Sequence, residues 1–142
     1  MKNKFVQNTL AVVLIISTLQ ARASVVAEPL PKATFTTISV NEEGENLLAD
    51  TRGNTLYVFD MDQSSNTSKC NAACAEIWPP YLLTEAEVAS LQAPLGSVVR
   101  DNKKVQLTFA GRPVYTYAFD RGSAADAGDG VGGVWHYIEI KK

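Results

Sequence analysis

The chain has 142 residues, which is long enough for one domain with a hydrophobic core of its own. It carries 13 Lys and Arg against 15 Asp and Glu, a formal net charge of −2, with no basic stripe along the sequence. Proteins that bind nucleic acid or anionic lipid carry clustered positive charge, so this composition argues against both kinds of partner.

The N-terminus has the pattern of a cleaved secretory signal. Lys2 and Lys4 precede a mostly apolar run at residues 5–19, and Ala21-Arg22-Ala23 supplies the small residues of a cleavage site. We predict removal of residues 1–23, export to the periplasm or the medium, and no membrane span afterwards. A retained anchor is the alternative, but the run is short and interrupted for a span of about 20 residues.

The first half of the mature chain reads as short strands and turns. A proline-containing arm at residues 24–34 is followed by strand formers from Phe35 to Val40 and by a second strand at residues 46–50. Gly53 supplies the positive φ of the next turn, and residues 56–61 form a third strand.

Residues 70–77 could make one or two helical turns, which would end at Trp78-Pro79-Pro80. Thr84 and Glu87 form a capping box for a short helix that reaches about Leu91.

Cys70 and Cys74 are the only cysteines. In an exported protein they predict a disulfide. Thiolate metal or redox ligands are the alternative, but the C-x-x-x-C spacing differs from the redox C-x-x-C motif. No second Cys or His pair exists to complete a zinc site.

The second half of the chain repeats the first. Residues 57–62, Tyr-Val-Phe-Asp-Met-Asp, recur 58 positions later as residues 115–120, Tyr-Thr-Tyr-Ala-Phe-Asp, and both copies read Y-x-[aromatic]-x-x-D. Gly53 recurs as Gly111 with the same offset, and Trp78 recurs as Trp135 after 57 positions. A single offset held over so long a stretch indicates a tandem duplication.

We therefore predict a mainly β fold. Two tandem, pseudo-symmetric β-hairpin repeats, about 35–82 and 95–142, would pack as one compact domain at 35–142, with one short helix at about 84–91 between them. Alternation along each motif strand gives one aromatic face, which is predicted to enter the core. These core candidates are Tyr57, Phe59, Met61, Tyr115, Tyr117 and Phe119, and Trp78 and Trp135 join them as repeated motif residues.

Asp62 and Asp120 close the two motifs. We interpret them as residues that accept backbone N–H groups and start the next turn, in preference to a ligand-binding role.

The glycine-rich segment 120–133 and the single histidine are the main candidates for chemistry. The segment holds three carboxylates and five glycines, and His136 follows it. Asp126, Asp129 and His136 therefore form a hypothetical metal site, although no known calcium-loop spacing is matched. A surface turn and a structural histidine are the simpler interpretation. The chain shows no nucleophile motif, so we predict that it is not an enzyme.

Taken together, the doubled motif, Cys-x-x-x-Cys before Ile77-Trp78-Pro79-Pro80, residues 111–115 (Gly-Arg-Pro-Val-Tyr) and residues 130–136 (Gly-Val-Gly-Gly-Val-Trp-His) resemble one family. The chain is similar, over roughly residues 44–140, to bacterial secreted-repeat proteins, predicted lipoproteins with a Y-x-[FWY]-x-x-D motif. The resemblance implies an exported envelope protein with two paired repeats and no established activity. The chain lacks the cysteine after the signal that would carry a lipid anchor.

These observations predict a non-enzymatic binding or scaffold module that contacts an unknown envelope protein or a small ligand and needs no cofactor. The alternative is a metal-responsive or redox protein that uses Asp126, Asp129 and His136.

Overall fold

The computed structural model describes residues 36–63 and 67–141. The predicted signal at 1–23, the arm at 24–34 and Phe35 lie outside the described residues. Within the two described ranges, no helix is both long and apolar enough to cross a membrane.

The fold is mainly β, as predicted. The strands are β1 (Thr36–Val40), β2 (Asn46–Asp50), β3 (Tyr57–Phe59), β4 (Leu95–Val99), β5 (Val105–Phe109), β6 (Arg112–Tyr115) and β7 (Trp135–Tyr137). The helices are α1 (Ala73–Ile77) and α2 (Glu85–Ala89), with 3-10 turns at Asp60–Asp62 and Val131–Gly133. The predicted capping box at Thr84 begins α2, and α1 lies within residues 70–77, where one or two helical turns were expected.

The two motif strands pair with each other. β3 and β6 are antiparallel, with Tyr57 opposite Tyr115 and Val58 opposite Val114. They lie in a five-stranded sheet of order β4-β5-β6-β3-β7, and β1 and β2 form a separate two-stranded sheet. Because the duplicated tyrosines face each other, the two repeats are related by a pseudo-twofold axis at this point.

The end of the first repeat enters the sheet of the second. The Tyr81 amide donates to the Val114 carbonyl at 2.9 Å, and the Leu107 amide donates to the Tyr81 carbonyl at 2.8 Å. Residues 79–83 therefore lie between β5 and β6 and hold the arms of that hairpin apart.

The end of the second repeat enters the sheet of the first repeat in the same way. The Ile138 amide donates to the Leu56 carbonyl at 3.0 Å, and the Leu48 amide donates to the Ile138 carbonyl at 2.8 Å. Residues 135–140 thus lie between β2 and β3. Each repeat completes its own hairpin with the last strand of the other repeat.

Alternation along the paired strands separates two cores. One face of β3 and β6 carries valines, and these belong to an aliphatic cluster of Leu48, Leu56, Val58, Leu95, Leu107, Val114 and Ile138. The other face carries the motif tyrosines, which pack with Cys70, Trp78 and Trp135 in an aromatic cluster.

The predicted aromatic face is wrong at its far end. Met61 and Phe119 are 63% and 55% exposed, because β3 ends at Phe59 and β6 ends at Tyr115. A 3-10 turn follows β3, so the two-residue period of a strand no longer applies beyond Phe59.

Candidate functional site

Four motif rings form one continuous stack across the two repeats. Trp78 and Trp135 lie parallel with ring centroids 3.8 Å apart. Phe59 stacks on the outer side of Trp135 at 4.2 Å, and Tyr117 stacks on the outer side of Trp78 at 4.3 Å. Stacked aromatic pairs add to the free energy already gained by burying their surface. The repeated aromatic residues therefore hold the two halves together.

The motif tyrosines and aspartates bond across the repeats. Tyr57 donates its hydroxyl to Asp120 Oδ2 at 2.8 Å, and Tyr115 donates to Asp62 Oδ2 at 2.5 Å. Asp62 also accepts the Lys69 amide at 2.6 Å, as predicted for a turn residue. The sequence analysis missed the bond to the other repeat. The only signal for it was the equal Tyr–Asp spacing in both copies.

A buried arginine supports the Tyr115–Asp62 pair. Ser68 Oγ lies 2.6 Å from the Tyr115 hydroxyl and accepts from Arg100 Nη1 at 2.7 Å. Arg100 is only 6% exposed, and it also donates to Gln106 Oε1 at 2.6 Å. Burial, followed by the hydrogen bond to Asp62, raises the pKa of Tyr115 to about 12. Sequence reasoning did not single out Arg100, because the second repeat's motif does not include it.

Among the described residues, no cation supports the Tyr57–Asp120 pair in this way. Around Tyr57 the further contacts are the Ala125 carbonyl at 3.3 Å and the Gly128 amide at 3.4 Å. Burial raises the pKa of Asp120, and the hydrogen bond from Tyr57 offsets only part of that shift. A side chain at position 128 would not fit, because a Cβ atom there would lie 2.8 Å from the Tyr57 ring and 2.9 Å from Trp78.

The predicted disulfide is present. Cys70 and Cys74 are bonded, with their Cα atoms 5.2 Å apart. Cys70 is buried in the aromatic cluster, and its carbonyl accepts from Arg100 Nη2 at 2.8 Å. The bridge therefore fixes the segment that surrounds Arg100.

A charged cluster lies beside the core, where β6, β3 and β7 are neighbours. Arg112 Nη2 donates to Asp60 Oδ1 at 2.9 Å, and His136 Nε2 lies 3.1 Å from Asp60 Oδ2. Burial alone would raise the pKa of Asp60, but the hydrogen bonds from Arg112 and His136 outweigh it and lower that pKa. The three side chains are all partly exposed.

This cluster is present on one side of the pseudo-twofold axis only. Under the repeat offset, Asp60, Arg112 and His136 correspond to Ala118, Asn54 and Pro79. The three corresponding residues on the other side of the pseudo-twofold axis therefore carry no charge.

The edge strands also differ between the halves. Ile38 on β1 and Ser97 on β4 hold equivalent positions in the two sheets, one residue away from the offset of the sequence repeat. Each lies opposite a leucine, Leu48 or Leu107, whose amide donates to the segment inserted from the other repeat. β4 has two buried residues, Leu95 in the aliphatic cluster and Val98, whereas β1 has no buried residue. On β1, Ile38 and Val40 are 47% and 57% exposed, and on β4 Val99 is 58% exposed, so the exposed apolar residue that β4 does not match is Ile38.

A family model described as a secreted repeat of unknown function matches residues 38–81 and 96–139. The chain belongs to this secreted-repeat family. The two matched ranges fall inside the two predicted repeats and confirm the resemblance drawn from the motifs. No curated protein and no solved structure matches the chain.

The three proposed metal ligands of this secreted-repeat protein are only partly brought together. Asp129 Oδ1 lies 3.9 Å from His136 Nδ1, while Asp126 Oδ2 accepts from Asn41 Nδ2 at 3.1 Å. Across residues 36–63 and 67–141, no three His, Cys, Asp or Glu side chains are grouped to hold a metal ion. Metal binding stays a prediction, and the second carboxylate beside His136 is Asp60 rather than Asp126.

Proposed function

We propose that this secreted-repeat protein is a non-catalytic binding module. The observation that supports this proposal is the contrast between its two edge strands. The motif tyrosines and aspartates bond to each other inside the core, so they are not available to a ligand. The exposed apolar residues of β1 are left without a core to enter, and exposed apolar surface is typical of interaction sites.

The charged cluster is poorly suited to acid–base catalysis. Both carboxylate oxygens of Asp60 are occupied, one by Arg112 and one by His136. A carboxylate with a lowered pKa is a weaker base. Neither cysteine is free to act as a nucleophile, because both are in the disulfide. These contacts favour a structural role for the cluster.

The proposal is tested by photo-crosslinking in the cells that export the protein. A photoreactive amino acid replaces Ile38 in one strain and, as the matched control, Ser97 in another. We expect one discrete adduct from position 38, none from position 97, and loss of the adduct when Val40→Lys is added.

Equal labelling from both positions, or none from either, would contradict the proposal. So would turnover of a defined substrate by the purified protein that His136→Ala abolishes.

A further inference from the structure

No described residue pairs with the outer backbone edge of β1. Ile38 lies opposite Leu48. The Leu48 amide donates to Ile138, and the Leu48 carbonyl accepts from Leu56, so both groups point away from β1. In an antiparallel pair, the residue opposite such a position also points its N–H and C=O outward. Ile38 therefore presents both groups to the free edge.

The same orientation recurs at every second residue, at Thr36 and Val40. Among the hydrogen bonds between described residues, none uses the outward groups of these three positions.

The side chains of β1 do nothing to block this edge. Its sequence, Thr-Thr-Ile-Ser-Val, contains no charge and no proline. Proteins usually protect a free edge strand with charged residues, proline or a bulge, because an unprotected edge pairs with another strand. β1 therefore has the composition of a strand that accepts a partner. The other edge strand, β4, has no charge or proline either, so the choice of β1 depends on Ile38 and on the groove at its end.

The charged residues that line the groove at the end of β1 indicate the charge of that partner. The groove has a volume of about 390 Å³ and lies where the strand runs into the following turn. Among its lining residues are two exposed apolar side chains, three acids and one arginine: Val40, Phe119, Glu42, Glu43, Asp126 and Arg121. An excess of acids around apolar surface is complementary to a segment that carries Lys or Arg between apolar residues.

We propose that β1 binds an extended, basic segment of a partner protein as an added β-strand. Main-chain hydrogen bonds to Thr36, Ile38 and Val40 would supply affinity. Apolar side chains would pack on Ile38, Val40 and Phe119, and basic ones would face the acids of the groove. This inference rests on the proposed binding function and specifies its site and the chemistry of its partner.

The probe is a fluorescent synthetic peptide of alternating Val and Lys, with an alternating Val and Glu peptide as the charge control. Each is titrated by anisotropy into the full-length protein as it is purified. We expect saturable binding of the Lys peptide only, with affinity that falls as salt is added.

Ile38→Pro removes one outward N–H group and leaves the amides that face β2 intact, a position where proline is tolerated in sheets. It should weaken peptide binding about tenfold. The matched control is Ser97→Pro on the equivalent edge, because Ser97 lies opposite Leu107, whose amide points away to Tyr81. This control should leave the affinity unchanged.

Val40→Lys provides a second variant that alters no backbone group. It places a like charge against the basic peptide and should also weaken binding about tenfold. Circular dichroism checks that every variant keeps the wild-type melting temperature.

Four results would overturn the inference. These are no peptide binding, equal affinity for the Lys and Glu peptides, a dimer that Ile38→Pro abolishes, and slow exchange of the Ile38 amide in the free monomer. The third would identify a second copy as the occupant, and the fourth a segment of the same chain. Crosslinking from position 38 without peptide binding would overturn this inference and leave the proposed function standing, whereas loss of both would overturn both.

Discussion

The Tyr57–Asp120 and Tyr115–Asp62 hydrogen bonds are the same contact in the two repeats, but their surroundings differ. Tyr115–Asp62 is joined through Ser68 to the buried cation Arg100, and Asp62 also holds a backbone amide. Among the described residues, the Tyr57–Asp120 pair makes its further hydrogen bonds with loop backbone and none with a cation, and Asp120 Oδ1 has no hydrogen-bond partner. A buried carboxylate is costly without compensating charge or hydrogen bonds. The two copies of the motif therefore share the Tyr–Asp bond, while only Tyr115–Asp62 is linked to a buried cation.

The largest expected effect comes from removing that support. Arg100→Met would remove the arginine that donates to Gln106 Oε1 and would leave the Cys70 carbonyl with only the longer bond from Ser68, so we expect a loss of about 3 kcal/mol in the free energy of unfolding. Urea denaturation measures it. Arg121→Ala, at an exposed arginine with only local carbonyl contacts, is the control and should change stability by less than about 0.5 kcal/mol. Similar losses in both variants would mean that Arg100 has no special role.

Next in size is the difference between the two tyrosines. Tyr115→Phe leaves Asp62 and Ser68 without a shared hydroxyl and should cost about 2 kcal/mol. Tyr57→Phe removes the bond to Asp120, which is the less well supported of the two, and should cost about 1 kcal/mol. Denaturation of the two variants under identical conditions gives the comparison. A larger loss for Tyr57→Phe would reverse the assignment of the stronger half.

Alkaline titration tests the same pair without mutating it. Because the pKa of Tyr115 is raised from 10.0 to about 12 on folding, its contribution to stability is fully present below pH 10 and is lost as the pH rises towards 12. Burial likewise raises the pKa of Tyr57. Tyrosinate absorbance and circular dichroism should change together in this range. Ionisation of every tyrosine near pH 10 with the fold intact would contradict the burial of these hydroxyls.

The smallest expected effect is that of added metal on the loop around Tyr57. Asp126 is engaged by Asn41, so we expect metal-stripped protein to keep one melting temperature with Ca²⁺, Cu²⁺, Fe²⁺ or Zn²⁺. Elemental analysis of the purified protein accompanies the melting curves. A rise with a single cation, as linkage requires of a specific ligand, would favour the metal-responsive alternative.

Local features of this fold could be predicted from sequence. The capping box at Thr84, the Cys70–Cys74 bridge and the positive φ of Gly53 each depend on residues close together in the chain. The repeat offset also predicted that the two repeats would pack together as one domain. These features need no knowledge of how the two halves are arranged.

Contacts between the halves could not be predicted in the same way. The sequence pattern of the extended segment at residues 79–83 is the same whether that segment pairs within its own repeat or within the hairpin of the other repeat. The partner of Asp62 could not be predicted for the same reason. Tyr57 and Tyr115 hold the same motif position, so the sequence does not show which of them bonds to Asp62. Arg100 lacked any signal, because an arginine outside a motif is most often exposed.

The exchanged strands have a consequence for how such a molecule is assembled. One unit by itself has a hairpin held open for a strand that it does not possess. Two separate units could complete their hairpins only as a strand-exchanged dimer, and the stability of that dimer would depend on protein concentration. Carrying both units on one chain makes the exchange intramolecular, at the high effective concentration that a short connection provides. The fold therefore stays closed at any dilution, which suits a protein of a secreted family.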